Sequence, residues 1–419
     1  MRIAIIGSGI SGLVCAWRLG RQHDVTLYEA NDYLGGHTHT HTVEQDGRQY
    51  AVDSGFIVHN PRNYPHFTAL LDELGVPSQP TTMSFSVQRP TDGLEYNATS
   101  FDRLFCQRRN LLSPRFIGMV RDLLRFYREA PRLLDHADEA LTLGEHLERN
   151  HYGAAFRDDH LVPMASALWS SPAARILDFP AVYLVRFMAN HQMLQVAGRP
   201  QWRVVQGGSR RYVEAMRANW KVKLRLHCPV KAVLRQPDGV IIASREGLDR
   251  HDQVIFACHS DQALALLADP TAAERDILGV IGYQSNDVVL HTDTRLLPRR
   301  PKAWAAWNAY VPADPAAPCS VSYCMNLLQG LQSRLPFIVT LNRSQDIAPK
   351  HMLARMSYHH PVYTRASVAA QARRAEISGR NRSWYAGAYW GWGFHEDGVR
   401  SALDVVQDLQ SAPLARVAA

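Results

Sequence analysis

The chain has 419 residues, 46% of them hydrophobic and 20% charged, with a net charge of +7. That length predicts two domains rather than one core, and no apolar run approaches a membrane span. The small positive excess favours an anionic partner, and nothing in it points to nucleic acid.

The opening residues Arg-Ile-Ala-Ile-Ile (2–6) read as a short buried strand, which Gly7-Ser-Gly9-Ile-Ser11-Gly12 turns into a helix. In this pattern Gly7 permits the tight turn, Gly9 lets backbone approach a pyrophosphate, and Gly12 lets helix pack on strand. The helix beginning near Ile10 directs its free N–H groups at the phosphates. A second strand, Val25–Tyr28, ends at Glu29, seventeen residues after Gly12. A carboxylate there accepts the ribose hydroxyls and disfavours a 2′-phosphate. The site therefore predicts an adenine dinucleotide and hydride or electron transfer. No second glycine motif of this type follows, so a separate nicotinamide reductant is not indicated.

Because the first strand begins at residue 2, a cleaved leader is not expected, and a cytoplasmic location is. Cys15, Cys106, Cys228, Cys258, Cys319 and Cys324 form no CxxC pair and read as free thiols. None lies in an attachment motif, so a non-covalent cofactor is expected.

Three segments read as parts of one nucleotide domain: residues 1–79, 200–275 and 378–419. Between them, residues 80–199 read as mainly helical and 276–377 as strand-rich at the start, together forming a substrate domain. The fold class predicted is α/β: a discontinuous Rossmann-like, glutathione-reductase-like dinucleotide domain carrying an inserted α+β domain. A final helix is expected over Val399–Leu409.

Within the first insertion, Ser113-Pro114 is a helix start. Phe116, Ile117, Val120, Leu123, Leu124 and Tyr127 fall on one stripe, flanked by Arg121, Arg125 and Arg128. From Arg103 to Arg132 there are eight arginines against Asp122 and Glu129. Such a helix either lies in a lipid interface or packs on the substrate domain with its arginines solvated.

His37, His39 and His41 alternate along an extended segment, a spacing that puts side chains on one face. His37 is already claimed by the cofactor phosphates, and no carboxylate or cysteine stands in ligand spacing, so no metal is assigned. Trp384, Tyr385, Tyr389, Trp390, Trp392 and Phe394 form an aromatic cluster. Trp392 and Phe394 have the better claim to the active site, and the others suit a core. His191 and the pair His359-His360 are candidate bases, since neutral imidazole takes a proton near cellular pH. Tyr283, Tyr323 and Asn326 are candidate positioning groups.

With these pieces in order, the chain resembles the flavin amine oxidase superfamily, which includes monoamine oxidases, protoporphyrinogen oxidase and phytoene desaturase. Glu29-Ala30 and Gly35-Gly36-His37-Thr38 are similar to its acid, spacer and Gly-Gly-Arg element. Asp53-Ser54-Gly55-Phe56-Ile57 resembles the segment passing the isoalloxazine; Gly207-Gly208 and Val230 resemble the helix start and the strand residue touching adenine. Gly393 to Gly398, with Phe394 and Asp397, resembles the closing turn near the pyrimidine end. The resemblance implies FAD. Three positions depart from it: His37 and Tyr33 replace arginines, and Ala388 replaces an acid. The strand from Ile281 to Val288 also lacks the lysine that amine oxidases place beside flavin N5.

Tyr283–His291, Tyr323–Gln329 and Tyr358–Pro361 are similar to a bacterial subgroup of FAD-dependent oxidoreductases linked to methyltransferases of the cyclopropane-fatty-acid-synthase type. That likeness implies a desaturase of methylated unsaturated acyl chains. It also implies a lipid substrate, an anionic membrane surface and a methyltransferase partner. The competing expectations are oxidation of a small amine or amino acid, and a flavoprotein that holds lipid for the methyltransferase without turnover.

Overall fold

A computed structural model describes residues 1–135, 140–314, 317 and 320–411. Cys319 and the last eight positions of the third segment lie outside the described residues, and the other five cysteines are free thiols.

Ile3, Ala4 and Ile5 are fully buried, as a strand covered on both faces requires. Arg2–Ile6 is the middle of a five-stranded parallel sheet whose order is Val222–Arg225, Asp24–Tyr28, Arg2–Ile6, Gln253–Phe256, Ser383–Tyr385. In register, Ile3 pairs with Val25 on one side and Gln253 on the other. Strands from the beginning, middle and end of the chain thus meet in one layer. On it pack the helices Ile10–Leu19 and His395–Ser411, the latter one turn longer at its start than the sequence predicts.

A three-stranded antiparallel sheet, Val230–Gln236, Gly239–Ser244 and Gly247–His251, lies against the other face. It is tied down by a buried ion pair between Arg235 and Glu274, 2.6 Å apart, and Glu274 also accepts the Tyr385 hydroxyl at 2.6 Å.

The intervening residues build a seven-stranded sheet in the order Met352–Val362, Gly282–His291, Ile338–Leu341, Ser320–Cys324, Trp307–Tyr310, Phe85–Arg89, Leu94–Asn97. Residues 80–199 are mainly helical, as expected, and also supply two short strands at the sheet edge. Alternation in Phe85-Ser-Val-Gln-Arg carried that signal.

The helix Pro114–Glu129 forms as expected, with the Ser113 hydroxyl accepting from the Phe116 amide. Its fully buried residues are Phe116, Met119, Asp122 and Phe126, while Val120, Leu123 and Tyr127 of the apolar stripe pack half-buried beside them. Asp122 goes inward because its carboxylate accepts the Gly153 N–H at 2.8 Å. Ile117 and Leu124 are left exposed.

Candidate cofactor and active site

The glycine loop has the geometry its sequence requires. Gly7 has φ +98°, a conformation that disfavours side chains, and a Cβ on Gly12 would lie 1.9 Å from the Gly7 carbonyl oxygen. Gly9 is different. A Cβ there meets nothing within 4 Å, so its backbone faces open space at the helix start. Gly35 runs beside Gly9, and a Cβ on Gly36 would approach the Gly9 Cα at 3.2 Å. Between them the two loops leave a backbone-lined cradle at a helix N-terminus, which suits a pyrophosphate.

Glu29 is buried at the end of its strand. One carboxylate oxygen accepts from the Ser8 amide at 2.9 Å and from the Ser8 hydroxyl. The other accepts from Asn31 N and Nδ2 at 2.8 and 2.9 Å. A ribose must therefore share or displace one of these donors. Val230 opens its strand next to this corner, where the Cys228 amide donates to the Glu29 carbonyl at 2.9 Å.

His37 is half-buried, and its buried Nε2 has no hydrogen-bond partner. Its ring lies 4.9 Å from Tyr358, 5.4 Å from His360 and 6.3 Å from His259. Burial, and then the neighbouring histidines, push it down to about 4. An uncharged, unpartnered buried ring nitrogen beside the Gly35-Gly36 turn is the kind of group a phosphate oxygen satisfies. Thr38 and Tyr212 share a hydrogen bond, and the Tyr212 hydroxyl reaches His395 Nε2 at 2.9 Å. His395 stacks on Phe56 at 3.7 Å. Ile57, in contrast, packs into the core with Val52 and Val204. Neither Tyr212 nor His395 stood out in the sequence, where one histidine among nineteen carries no signal.

Asp53 anchors the segment before Phe56. Its buried carboxylate accepts from Ser209 N at 2.9 Å, Ser209 Oγ at 2.8 Å and Gln329 Nε2 at 3.1 Å. Burial raises it to about 6 despite these donors. Asp397, expected to contact the cofactor, accepts the amides of Trp392 and Phe394 at 3.0 and 3.1 Å and pairs with Arg400. Its role is to shape the turn that presents Phe394. Gly393 has φ +86° in that turn, and a Cβ there would strike the Tyr363 hydroxyl at 2.6 Å.

The candidate catalytic side chains separate into groups. Tyr283 stacks on His259 at 4.3 Å and accepts the Ser260 amide at 3.0 Å, so it belongs with His37 and His360. His360 Nδ1 accepts from Asn286 Nδ2 at 3.3 Å, which leaves Nε2 carrying the hydrogen. His360 is pushed down to about 3 by burial and then His37. In this tautomer His360 offers an N–H from Nε2. His191 is the reverse: its Nδ1–H donates to the Phe187 carbonyl at 3.0 Å, leaving a lone pair on Nε2. Tyr323 is elsewhere, edge-on to Trp307 at 5.0 Å in the seven-stranded sheet. Asn326 orders a loop by bonding Leu331, Ser333 and the Phe337 amide. The structure brings neither of these two to the histidine cluster.

His191 sits in an aromatic wall. Phe187 stacks on Phe394 at 5.1 Å and meets Trp392 at 5.8 Å and Trp169 at 4.9 Å. Trp384, Tyr385, Tyr389 and Trp390 are buried in the core. His39 stacks on Tyr33 and His41 and bonds Tyr358, while His41 bonds Ser54. Among the described residues no group of three or more histidine, cysteine or acidic side chains is placed to hold a metal.

A parallel dinucleotide sheet, a glycine cradle with an acid at the next strand end, and a second helix aimed at the same cleft define an FAD-dependent oxidoreductase. The sequence profile described as "Flavin containing amine oxidoreductase" matches residues 10–320, and the chain belongs to that family. A flavin-dependent L-tryptophan oxidase RebO of Lentzea aerocolonigenes is 32% identical over 100 residues, 24% of this chain and 20% of that protein. A tryptophan 2-monooxygenase of Pseudomonas savastanoi is 43% identical over 56 residues, 13% of this chain and 10% of that one. The matches thus span a fifth and a tenth of those relatives. Two solved structures share the whole fold. A putative protoporphyrinogen oxidase from Exiguobacterium sp. 255-15 has TM-score 0.69 at 16% identity, covering 98% of both chains. A CLA-producing fatty acid isomerase from P. acnes has TM-score 0.69 at 17% identity, covering 97% of this chain and 98% of that chain.

Proposed function

We propose that the protein dehydrogenates an acyl chain of a membrane lipid, a methylated unsaturated fatty acyl phospholipid, forming a new carbon–carbon double bond. FAD, when bound, supplies the hydride acceptor. The observation that carries this reading is the wall of Phe187, Trp169, Trp392 and Phe394 beside the turn that closes the cofactor cleft. A hydrocarbon offers no hydrogen-bond handle, so such a substrate is held by shape in a dry apolar space.

The chain's residues divide the remaining work. The amides at the start of the helix Ile10–Leu19, with His37 Nε2, hold phosphate, and Glu29 holds ribose. Phe56 and His395 brace each other at the far end of the cleft. His191 Nε2 has the lone pair to take the second proton, and because burial holds the ring down to about 4 it is a weak base that must pass the proton on, while Trp392 and Phe394 exclude water around it.

Oxidation of an amine or amino acid is the second reading, favoured by the tryptophan-oxidising relatives. Against it, the strand Gly282–His291 has no lysine. Its buried Asn286 is committed to His360 and Asn342.

The deciding experiment is anaerobic incubation of the holoenzyme with methylated unsaturated phospholipid, following flavin absorbance and then acyl-chain composition. Bleaching with new unsaturation is expected. Bleaching by tryptophan or simple amines alone would replace this reading with the second.

A further inference from the structure

We infer that the surface around residues 101–128 is a docking face for an anionic phospholipid bilayer, with an arginine-lined cavity at its head that receives a lipid phosphate.

The helix Pro114–Glu129 turns Phe116, Met119, Asp122 and Phe126 inward, which leaves a second stripe outside. That stripe is Ile117, Arg121, Leu124 and Arg128, spaced four, three and four residues apart and so aligned on one face. Ile117 is 44% exposed, Leu124 50%, and Leu112, in the turn leading into the helix, 89%. Phe101 is also exposed and stacks on Phe105, which packs against Phe116. Large exposed apolar side chains alternating with guanidinium groups match the two components of a bilayer interface, acyl boundary and anionic headgroup.

Next to the helix start lies a cavity of about 270 Å³, lined by Arg89, Asp92, Arg109, Asn110, Arg115 and Asp159, among others. The two carboxylates do not cancel the three guanidinium groups. Asp159 is buried and shared by Arg89 and Arg115, and Asp92 pairs with Arg89. Arg109 reaches only the carbonyls of Asp92 and Gly93 among the described residues. Those bonds use Nη2, so its Nη1 and Nε hydrogens are left for an anion, and a phosphate is the anion a guanidinium matches best. An acidic protein surface would satisfy the arginines but would leave Leu112 and Leu124 without an apolar partner. A bilayer satisfies both.

This inference is independent of which bond the enzyme oxidises, because adsorption is measured without turnover. The test is co-sedimentation of the holoprotein with vesicles of phosphatidylcholine, alone or containing about a third phosphatidylglycerol. The wild type should bind the anionic vesicles and lose binding at high salt. Charge reversal in Arg109→Glu or Arg121→Glu should each weaken binding roughly tenfold, and Leu112→Glu by at least as much. All three sites are exposed, so flavin content and melting temperature should match the wild type. A wild type that stays in the supernatant when anionic vesicles are pelleted, or folded variants that bind as it does, would overturn the inference.

Discussion

The hydroxyl of Ser11 donates to the carbonyl of Gly398 at 2.9 Å, joining residues 387 positions apart. The bond brings the first turns of two helices together, one from each end of the chain. Gly398 allows the approach: a Cβ there would lie 2.6 Å from Ile10 Cγ2. Gly398→Ala should therefore cost about 1–3 kcal/mol through overpacking, and Ser11→Ala about 1 kcal/mol through the lost buried bond. Thermal melts measure both. The alanine at 398 should also release flavin more readily, read by absorbance after gel filtration.

Gly9 and Gly12 should behave differently although they belong to one motif. Gly12→Ala places a methyl against the Gly7 carbonyl and should unfold or severely destabilise the apoprotein. Gly9→Ala meets no protein atom, so apoprotein stability should change by less than about 0.5 kcal/mol. Its FAD affinity should nevertheless fall by an order of magnitude or more. Equal loss of stability in the two variants would show that Gly9 serves the fold rather than the cofactor.

The Arg235–Glu274 pair lies in the interior, with the Tyr385 hydroxyl on the same carboxylate. Removing Glu274 strips the buried Arg235 guanidinium of its interior partner, leaving only the solvent-facing Asp269 at 3.1 Å, and strands the Tyr385 hydroxyl. Glu274→Ala should cost about 3–5 kcal/mol in denaturant unfolding, and the double variant Arg235→Met/Glu274→Leu should recover much of it.

Acid should destabilise the protein before any comparable effect of base. Burial is the chief cause holding His37, His41, His59, His160, His191, His259 and His291 at about 4 and His360 at about 3. The unfolded chain protonates each near 6.5, so it binds more protons than the native state between those values. The stability these residues allow is complete above about pH 6.5 and lost as pH falls towards 4. Asp53 and Asp397, raised to about 6 by burial, act in the opposite direction, losing stability as pH rises from about 4 to 6. Eight groups outweigh two. Melting temperature should fall steadily below about pH 6.5; a rise on mild acidification would contradict this balance.

Local chemistry was legible in the sequence, and long-range chemistry was not. Gly7, Gly12 and Glu29 are placed by constraints acting within one strand–turn–helix unit, and their spacing alone locates them. Asp53 is held by Ser209 and Gln329, 156 and 276 residues away, and no local pattern announces such partners. The helix Pro114–Glu129 is legible from Ser113-Pro114 and its apolar spacing, but which residues turn inward is not, since Asp122 is buried among them. A carboxylate that accepts a backbone N–H is tolerated inside, and that bond belongs to Gly153, far along the chain. Which ring nitrogens of His191 and His360 are occupied is hidden in the sequence for a related reason. Whether an imidazole accepts or gives a proton depends on what occupies its other nitrogen, which only the folded arrangement decides.

The order of strands in the parallel sheet has a consequence for biosynthesis. Arg2–Ile6 is synthesised well before its neighbour Gln253–Phe256 and, beyond it, Ser383–Tyr385. The nascent chain must carry a strand of isoleucines with one edge open while most of the polypeptide is translated. The seven-stranded layer is complete in sequence by Val362 and can assemble earlier. Translation speed and chaperone shielding of the amino-terminal strand should therefore govern the yield of folded protein more than they would for a domain built from contiguous sequence.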